Sequence, residues 1–219
     1  FDLLALAVGE RHPALRHVTE SPSEKIRVRS TIPMLILNGH MARRKKDPEK
    51  TLTRLLVALN GTRVSEFALP YVRRVARAGD LPITLLRVVP EISDFHRSVE
   101  LSSIAPPFIE GALQNAEDYL ERHATLLTEE GFDVDTRVEV GPAARTLTDV
   151  QEREPEHLLV MASVVRRGWR RTILGCTADE VIRTSGRPLL LIPAGRRLAT
   201  SDSGSGSNEN GGSNGSTGT

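Results

Sequence analysis

The stretch HLLVMASVVRRGWRRTILGCTADEVIRTSGRPLLLIP, residues 157–193, most constrains what this chain can fold into. Residues 158–162 are apolar without interruption and have the length of a strand. A run of that kind is buried on both faces, as strands of a parallel sheet are. Arg166, Arg167, Gly168, Trp169, Arg170 and Arg171 cannot all be buried together, which predicts a basic surface loop before a helix that opens at Gly175. Thr177 and Glu180 have the spacing of a capping box for that helix. Gly186 and Pro188 end it, and residues 189–192 supply a second buried strand.

The same pattern occurs once more, 155 residues earlier. At that offset, without a gap, Leu3, Leu4, Ala7, Arg11, Arg16, Ser30, Pro33 and Leu35 meet Leu158, Leu159, Ala162, Arg166, Arg171, Ser185, Pro188 and Leu190. Ser21, Pro22 and Glu24 supply an N-cap, an N1 proline and a capping acid in the first copy. Residues 1–38 are therefore expected to be the strand–helix–strand end of a preceding domain. Residues 39–50, with Arg43, Arg44, Lys45 and Lys46, read as a basic linker. Residues 51–194 read as one complete domain. Strands are expected at 55–59, 83–89 and 134–140, and helices at 64–78, 108–130 and 142–154. The alternation of apolar and polar residues over 134–140 marks a strand near a sheet edge. Strands alternating with helices imply right-handed crossovers and a parallel sheet covered on both faces. Residues 195–219, rich in Gly, Ser and Asn, are too poor in apolar side chains to order themselves.

The stretch at 157–193 resembles the C-terminal half of a universal stress protein domain, and four further segments, LLVALNGT, ALPYVRRVARA, ITLLRVVPE and VEVGPAARTL, resemble successive elements of such domains in order and spacing. The resemblance implies an open five-stranded parallel sheet of order 3-2-1-4-5, Rossmann-like and akin to the adenine nucleotide alpha hydrolases. It also implies a ligand crevice where the strand order reverses, with ATP or AMP as the ligand. Laid on this sequence, the crevice falls on Asn60, Gly61 and Thr62 after the first strand and on Val88 at the end of the second. After the fourth strand it falls on Met161, Ala162 and Val165, and then on Gly175, Cys176 and Thr177. Nucleotide-binding relatives carry G-x2-G-x9-G-[ST] at Ala162, Val165, Gly175 and Cys176. The spacing is kept, but three of the four residue types differ. An acidic residue usually stands where Asn60 is, and Val165 disfavours the backbone freedom that glycine permits. Hydrogen bonds to charged groups are worth roughly 2 kcal/mol each, so the loss of two weakens binding on the order of a thousandfold.

The composition, 39% hydrophobic and 26% charged with a net charge of +1, gives no global attraction to nucleic acid or anionic membranes. No apolar run approaches the ~18 residues of a membrane helix. FDLLALAVG carries Asp2 where the core of a signal peptide is uncharged. The single Cys176 excludes an internal disulfide framework and favours the cytoplasm. His12, His17, His40, His96, His123 and His157 lack ligand spacing, and no catalytic constellation stands out. The expected function is a non-enzymatic stress-response protein that acts by pairing its two domains or by forming a homodimer, in the family commonly through the last strand. On that pattern residues 35–37 and 189–191 pair with each other inside the chain. The alternatives are an adenine-nucleotide switch and a regulatory domain of a transporter.

Overall fold

The computed structural model describes residues 2–8, 30–38, 52–91, 105–167 and 172–194. The linker at 39–50, the tail at 195–219, the caps at Ser21, Pro22 and Glu24, and Trp169, Arg170 and Arg171 lie outside the described residues. Among those described, β1 (Leu4–Val8) and β2 (Met34–Asn38) come first. There follow β3 (Arg54–Ala58), α1 (Arg63–Glu66), α2 (Leu69–Gly79), β4 (Ile83–Val89), α3 (Ala105–Glu129) and β5 (Val134–Val140). The chain continues through α4 (Ala143–Arg153), β6 (His157–Arg167), β7 (Thr172–Leu174), α5 (Cys176–Thr184) and β8 (Leu189–Ala194).

Seven of these strands run across one sheet in the order β1-β2-β8-β6-β3-β4-β5, and β7 pairs only with β6. The sheet thus has seven strands where five were expected and its full order differs, because β1 and β2 extend it beyond β8, while the strands of 51–194 keep the order β5-β4-β3-β6-β8. The reason lies at β8, an apolar strand whose outer edge would expose unpaired N–H and C=O groups. There β2 adds antiparallel, with Met34 opposite Leu191, Leu35 opposite Leu190 and Ile36 opposite Leu189. Pairs β1–β2, β3–β4, β3–β6, β4–β5 and β6–β8 are parallel, so the sheet is mostly but not wholly parallel.

The repeat in the sequence has a counterpart in the register. Leu4 stands opposite Met34, and Leu159, 155 positions on, stands opposite Leu189. The turns before β2 and β8 match as well. The Ile32 N–H donates to Ser30 Oγ at 3.2 Å, and the Arg187 N–H to Ser185 Oγ at 3.1 Å.

The strands that read as uninterrupted apolar runs are the ones buried on both faces. On one side Leu55, Val57, Leu85 and Val160 pack against α2 and α3 through Leu69, Val72, Leu120 and Leu127. On the other, Leu56, Leu159, Leu189 and Met34 pack against α4 and α5 through Leu147, Val150, Val181 and Ile182. Full burial of each such side chain contributes about 1.5–3 kcal/mol. As its alternation predicts, β5 is the outermost strand at one end of the sheet.

Three local expectations are revised. The helix expected over 64–78 breaks at Phe67 and Ala68, because Pro70 in the first turn of α2 has no N–H to continue the preceding turn. Of the basic loop expected over 166–171, the described residues Arg166 and Arg167 are strand. β6 runs on to Arg167, and β7 returns antiparallel with Val165 opposite Leu174 and Arg167 opposite Thr172. In α5 the N-cap is Gly175, with no side-chain capping bond, so Thr177 and Glu180 do not form the expected box.

A polar seam ties α4 to the edge of the sheet. Arg137 pairs with Glu139 and donates to Glu154 Oε1 at 2.7 Å, while His157 Nδ1 lies 2.9 Å from Glu154 Oε2. Burial works against the Glu154 charge, but the Arg137 hydrogen bond and the charges of Arg137 and His157 outweigh it and hold its carboxyl below the usual carboxylate range. A group whose folded pKa is depressed stabilises above its unfolded pKa, near 4.3 for Glu, and loses that contribution as pH falls. Glu154→Gln should therefore lower stability by about 1 kcal/mol at pH 7, and the difference from wild type should vanish near pH 3. Thermal melts across pH 3–7 check this, and a difference independent of pH would contradict it.

Candidate functional site

The chain leaves β3 toward the face covered by α2 and α3, and leaves β6 toward the face covered by α4 and α5. Since β3 and β6 are neighbours, their carboxyl ends flank the point where the direction of winding reverses.

The turn after β3 holds itself together. Asn60 Oδ1 accepts from Thr62 N–H at 3.1 Å and from Thr62 Oγ1 at 2.7 Å. Thr62 is the N-cap of α1, its hydroxyl accepting from Ser65 N–H at 3.3 Å, and the Asn60 N–H donates to Ser65 Oγ at 3.2 Å. Gly61 adopts a φ of 83°, in the left-handed region where glycine costs least. The turn therefore spends the acceptor of Asn60 on its own backbone. What Asn60 retains for a ligand is the amide donor, not the acceptor pair that an acidic residue offers.

The remaining candidates are distributed unevenly. Val88 is half-buried on the α4 and α5 side, where Met161 is also buried. Ala162 packs into the opposite layer. The backbone of Val165 belongs to the β6–β7 ladder rather than to a loop, so this glycine position of the motif is occupied by regular strand. Gly175, exposed Cys176 and half-buried Thr177 stand at the start of α5. The structure thus keeps Asn60, Gly61 and Thr62 together in one turn and Gly175, Cys176 and Thr177 in one helix start, while Met161 and Ala162 serve the core on opposite faces.

One participant escaped sequence reasoning. Ser163, buried at the end of the apolar run of β6, accepts the Gly175 N–H on its hydroxyl at 3.1 Å. That bond caps the start of α5 from the sheet and occupies the amide that a glycine cradle would present to phosphate. The signal was available as a lone hydroxyl inside an otherwise apolar strand.

Beside the Asn60 turn, Tyr119 of α3 donates from its hydroxyl to Glu66 Oε1 at 3.1 Å, and His123 Nε2 lies 3.5 Å from the same oxygen. Burial, reinforced by the Glu66 charge, pushes the Tyr119 hydroxyl up to about 12. Tyr119 is thus a donor throughout the physiological range and latches α1 to α3. A polar groove of about 530 Å³ lies elsewhere, between the end of α3 and the start of β5, lined in part by Glu121, Thr125, Thr128 and Asp135. No group of three or more residues suited to a metal ion, and no helix long and apolar enough to cross a membrane, occurs among the described residues.

Comparison with known proteins bears on family and fold. Residues 51–193 match the universal stress protein family. No curated protein matches the sequence. Among solved structures, the universal stress protein UspA from Lactobacillus plantarum is similar at 17% identity and a TM-score of 0.56, over 65% of this chain and 98% of that one. A universal stress protein from Archaeoglobus fulgidus is similar at 21% identity and a TM-score of 0.57, over 87% of this chain and 62% of that one. A functionally unknown protein from Pseudomonas aeruginosa is similar at 16% identity and a TM-score of 0.57, over 90% of this chain and 64% of that one. At these identities the likeness is one of fold.

Proposed function

The chain belongs to the universal stress protein family, and from that premise we propose that it is a stress-response protein that works by pairing folded units rather than by catalysis. In this reading residues 1–38 are the tail of a preceding domain, 39–50 the linker, 51–194 a complete domain and 195–219 a tail. The observation that carries it is the antiparallel seating of β2 on β8 around Leu35 and Leu190, two residues that occupy equivalent places in the repeat. An edge strand satisfied from within the chain is also relieved of its tendency to aggregate. The cytoplasm is the proposed compartment, resting on a single, free cysteine.

Three features speak against a nucleotide switch. The Asn60 acceptor is used inside its own turn, Val165 sits in a strand ladder, and the Gly175 N–H is taken by Ser163. Titration calorimetry with Mg-ATP tests the reading. The wild-type chain should show no saturation below about 1 mM, and Val165→Gly with Cys176→Ser should bind roughly a hundredfold tighter or more as cradle contacts return. Saturation of the wild-type chain at tens of micromolar would replace the pairing reading with the switch.

A further inference from the structure

Among the described residues, half-buried arginines as a rule come with carboxylates. Arg54 pairs with Asp135, Arg73 with Glu130, Arg137 with Glu139 and Glu154, and Arg187 with Glu152. Such pairing is the ordinary condition for a cation withdrawn from water. Arg87, also half-buried, is the exception among the described residues, because no carboxylate lies within salt-bridge distance of it. Its guanidinium lies 5.1 Å from the centre of the Tyr119 ring, and its one hydrogen bond among the described residues is long, from Nη1 to the Asn115 carbonyl at 3.5 Å.

The position of this cation is specific. Arg87 is the lone charge in the apolar run of β4, two residues from the strand's carboxyl end. Its guanidinium sits directly beneath Gly61, where a side-chain carbon would meet Nη2 at 3.1 Å and Nη1 at 3.4 Å. The glycine leaves room for the guanidinium against the turn that follows β3. The side chain lies on the α3 side of the sheet, opposite to the side taken by Val88.

We infer that Arg87 is an anion-recognition residue, and that the corner between the Asn60 turn, the end of β4 and α3 takes a small ligand through a group with two adjacent anionic oxygens. A guanidinium presents parallel N–H donors that match such a group, whether phosphate or carboxylate. The Tyr119 ring lies against the guanidinium without neutralising it, and with Nη1 turned to the Asn115 carbonyl the Nε and Nη2 donors remain for the ligand. This site is separate from the degenerate glycine motif at Val165 and Gly175, and it does not depend on the pairing of β2 with β8.

The test uses the full chain at fixed ionic strength, titrated in parallel with inorganic phosphate and with acetate and followed by calorimetry and by chemical shifts of the Gly61 and Arg87 amides. Two charge-assisted bonds give an expected dissociation constant on the order of 1 mM. Arg87→Gln should weaken it at least tenfold. Arg87→Lys, which keeps the charge but not the fork, should weaken it severalfold and guards against a result that reflects misfolding of the glutamine variant. Saturation by phosphate or by acetate with this dependence on Arg87 supports the site and identifies which oxyanion it prefers. Absence of saturation by either ion, or equal affinity in folded variants, overturns it.

Discussion

Deletion of residues 1–50 is expected to turn the remaining chain into a homodimer joined through β8. The β2–β8 register is the reason. Met34 faces Leu191 and Ile36 faces Leu189, with Leu35 opposite Leu190 at the centre. In the repeat Met34 corresponds to Leu189 and Ile36 to Leu191, so exchanging each residue for its equivalent returns the same pairs. The contact has the self-complementary character of a two-fold interface, although one chain makes both halves. A second copy of β8 can therefore occupy the place of β2 in register, with Leu190 opposite Leu190. Residues 51–194 retain α2, α3, α4 and α5, and hence a helical layer on each face. Light scattering should report twice the monomer mass at concentrations on the order of 10 µM, as for associations of ordinary strength. Leu190→Cys should form an interchain disulfide in the truncated chain but not in the full one. A truncated chain that stays monomeric, or a disulfide equally efficient in both, would sink the idea.

Leu159→Ala is expected to cost about 2–5 kcal/mol, the range for large-to-small changes in a rigid core. Leu159 is fully buried in β6, between β3 and β8, and packs in the layer formed with α4 and α5. At about 2–4 °C per kcal/mol for a chain of this length, the melting temperature should fall by roughly 10 °C. The half-buried Val138 of β5, at the edge of the sheet, provides the control. Val138→Ala should cost about 1 kcal/mol or less, because solvent and flexible neighbours fill the space. Circular dichroism melts of both variants measure the contrast. Equal losses at the two positions would mean that stability does not concentrate in the central strands.

The central strands were legible in the sequence because burial on both faces leaves no polar alternation, as in LLVAL, ITLL and HLLVM. The edge position of β5 was legible for the complementary reason. The count of seven strands in one sheet was not, because the expected sheet was counted on residues 51–194 alone, although the last-strand pattern had already set residues 35–37 against 189–191. The β6–β7 pairing was missed because four closely spaced arginines argue for a loop, whereas the backbone of 165–167 pairs with that of 172–174. At the site, residue spacing pointed to the turn after β3 and to the start of α5. It could not foresee that Asn60 and Gly175 spend their polar groups locally, since those bonds depend on Thr62 and Ser163 being brought within reach.

The β2–β8 seam also bears on how the chain reaches its native state. Leu35 and Leu190 meet across 155 positions of sequence, a separation typical of contacts that form slowly. During synthesis β8 is made more than 150 residues after β2, so at about 5–20 residues per second β2 waits on the order of ten seconds for this neighbour. Throughout that interval Met34 and Ile36, fully buried in the finished protein, have no β8 to cover them. Burial of Met34 and Ile36 is therefore completed only when β8 closes the seam.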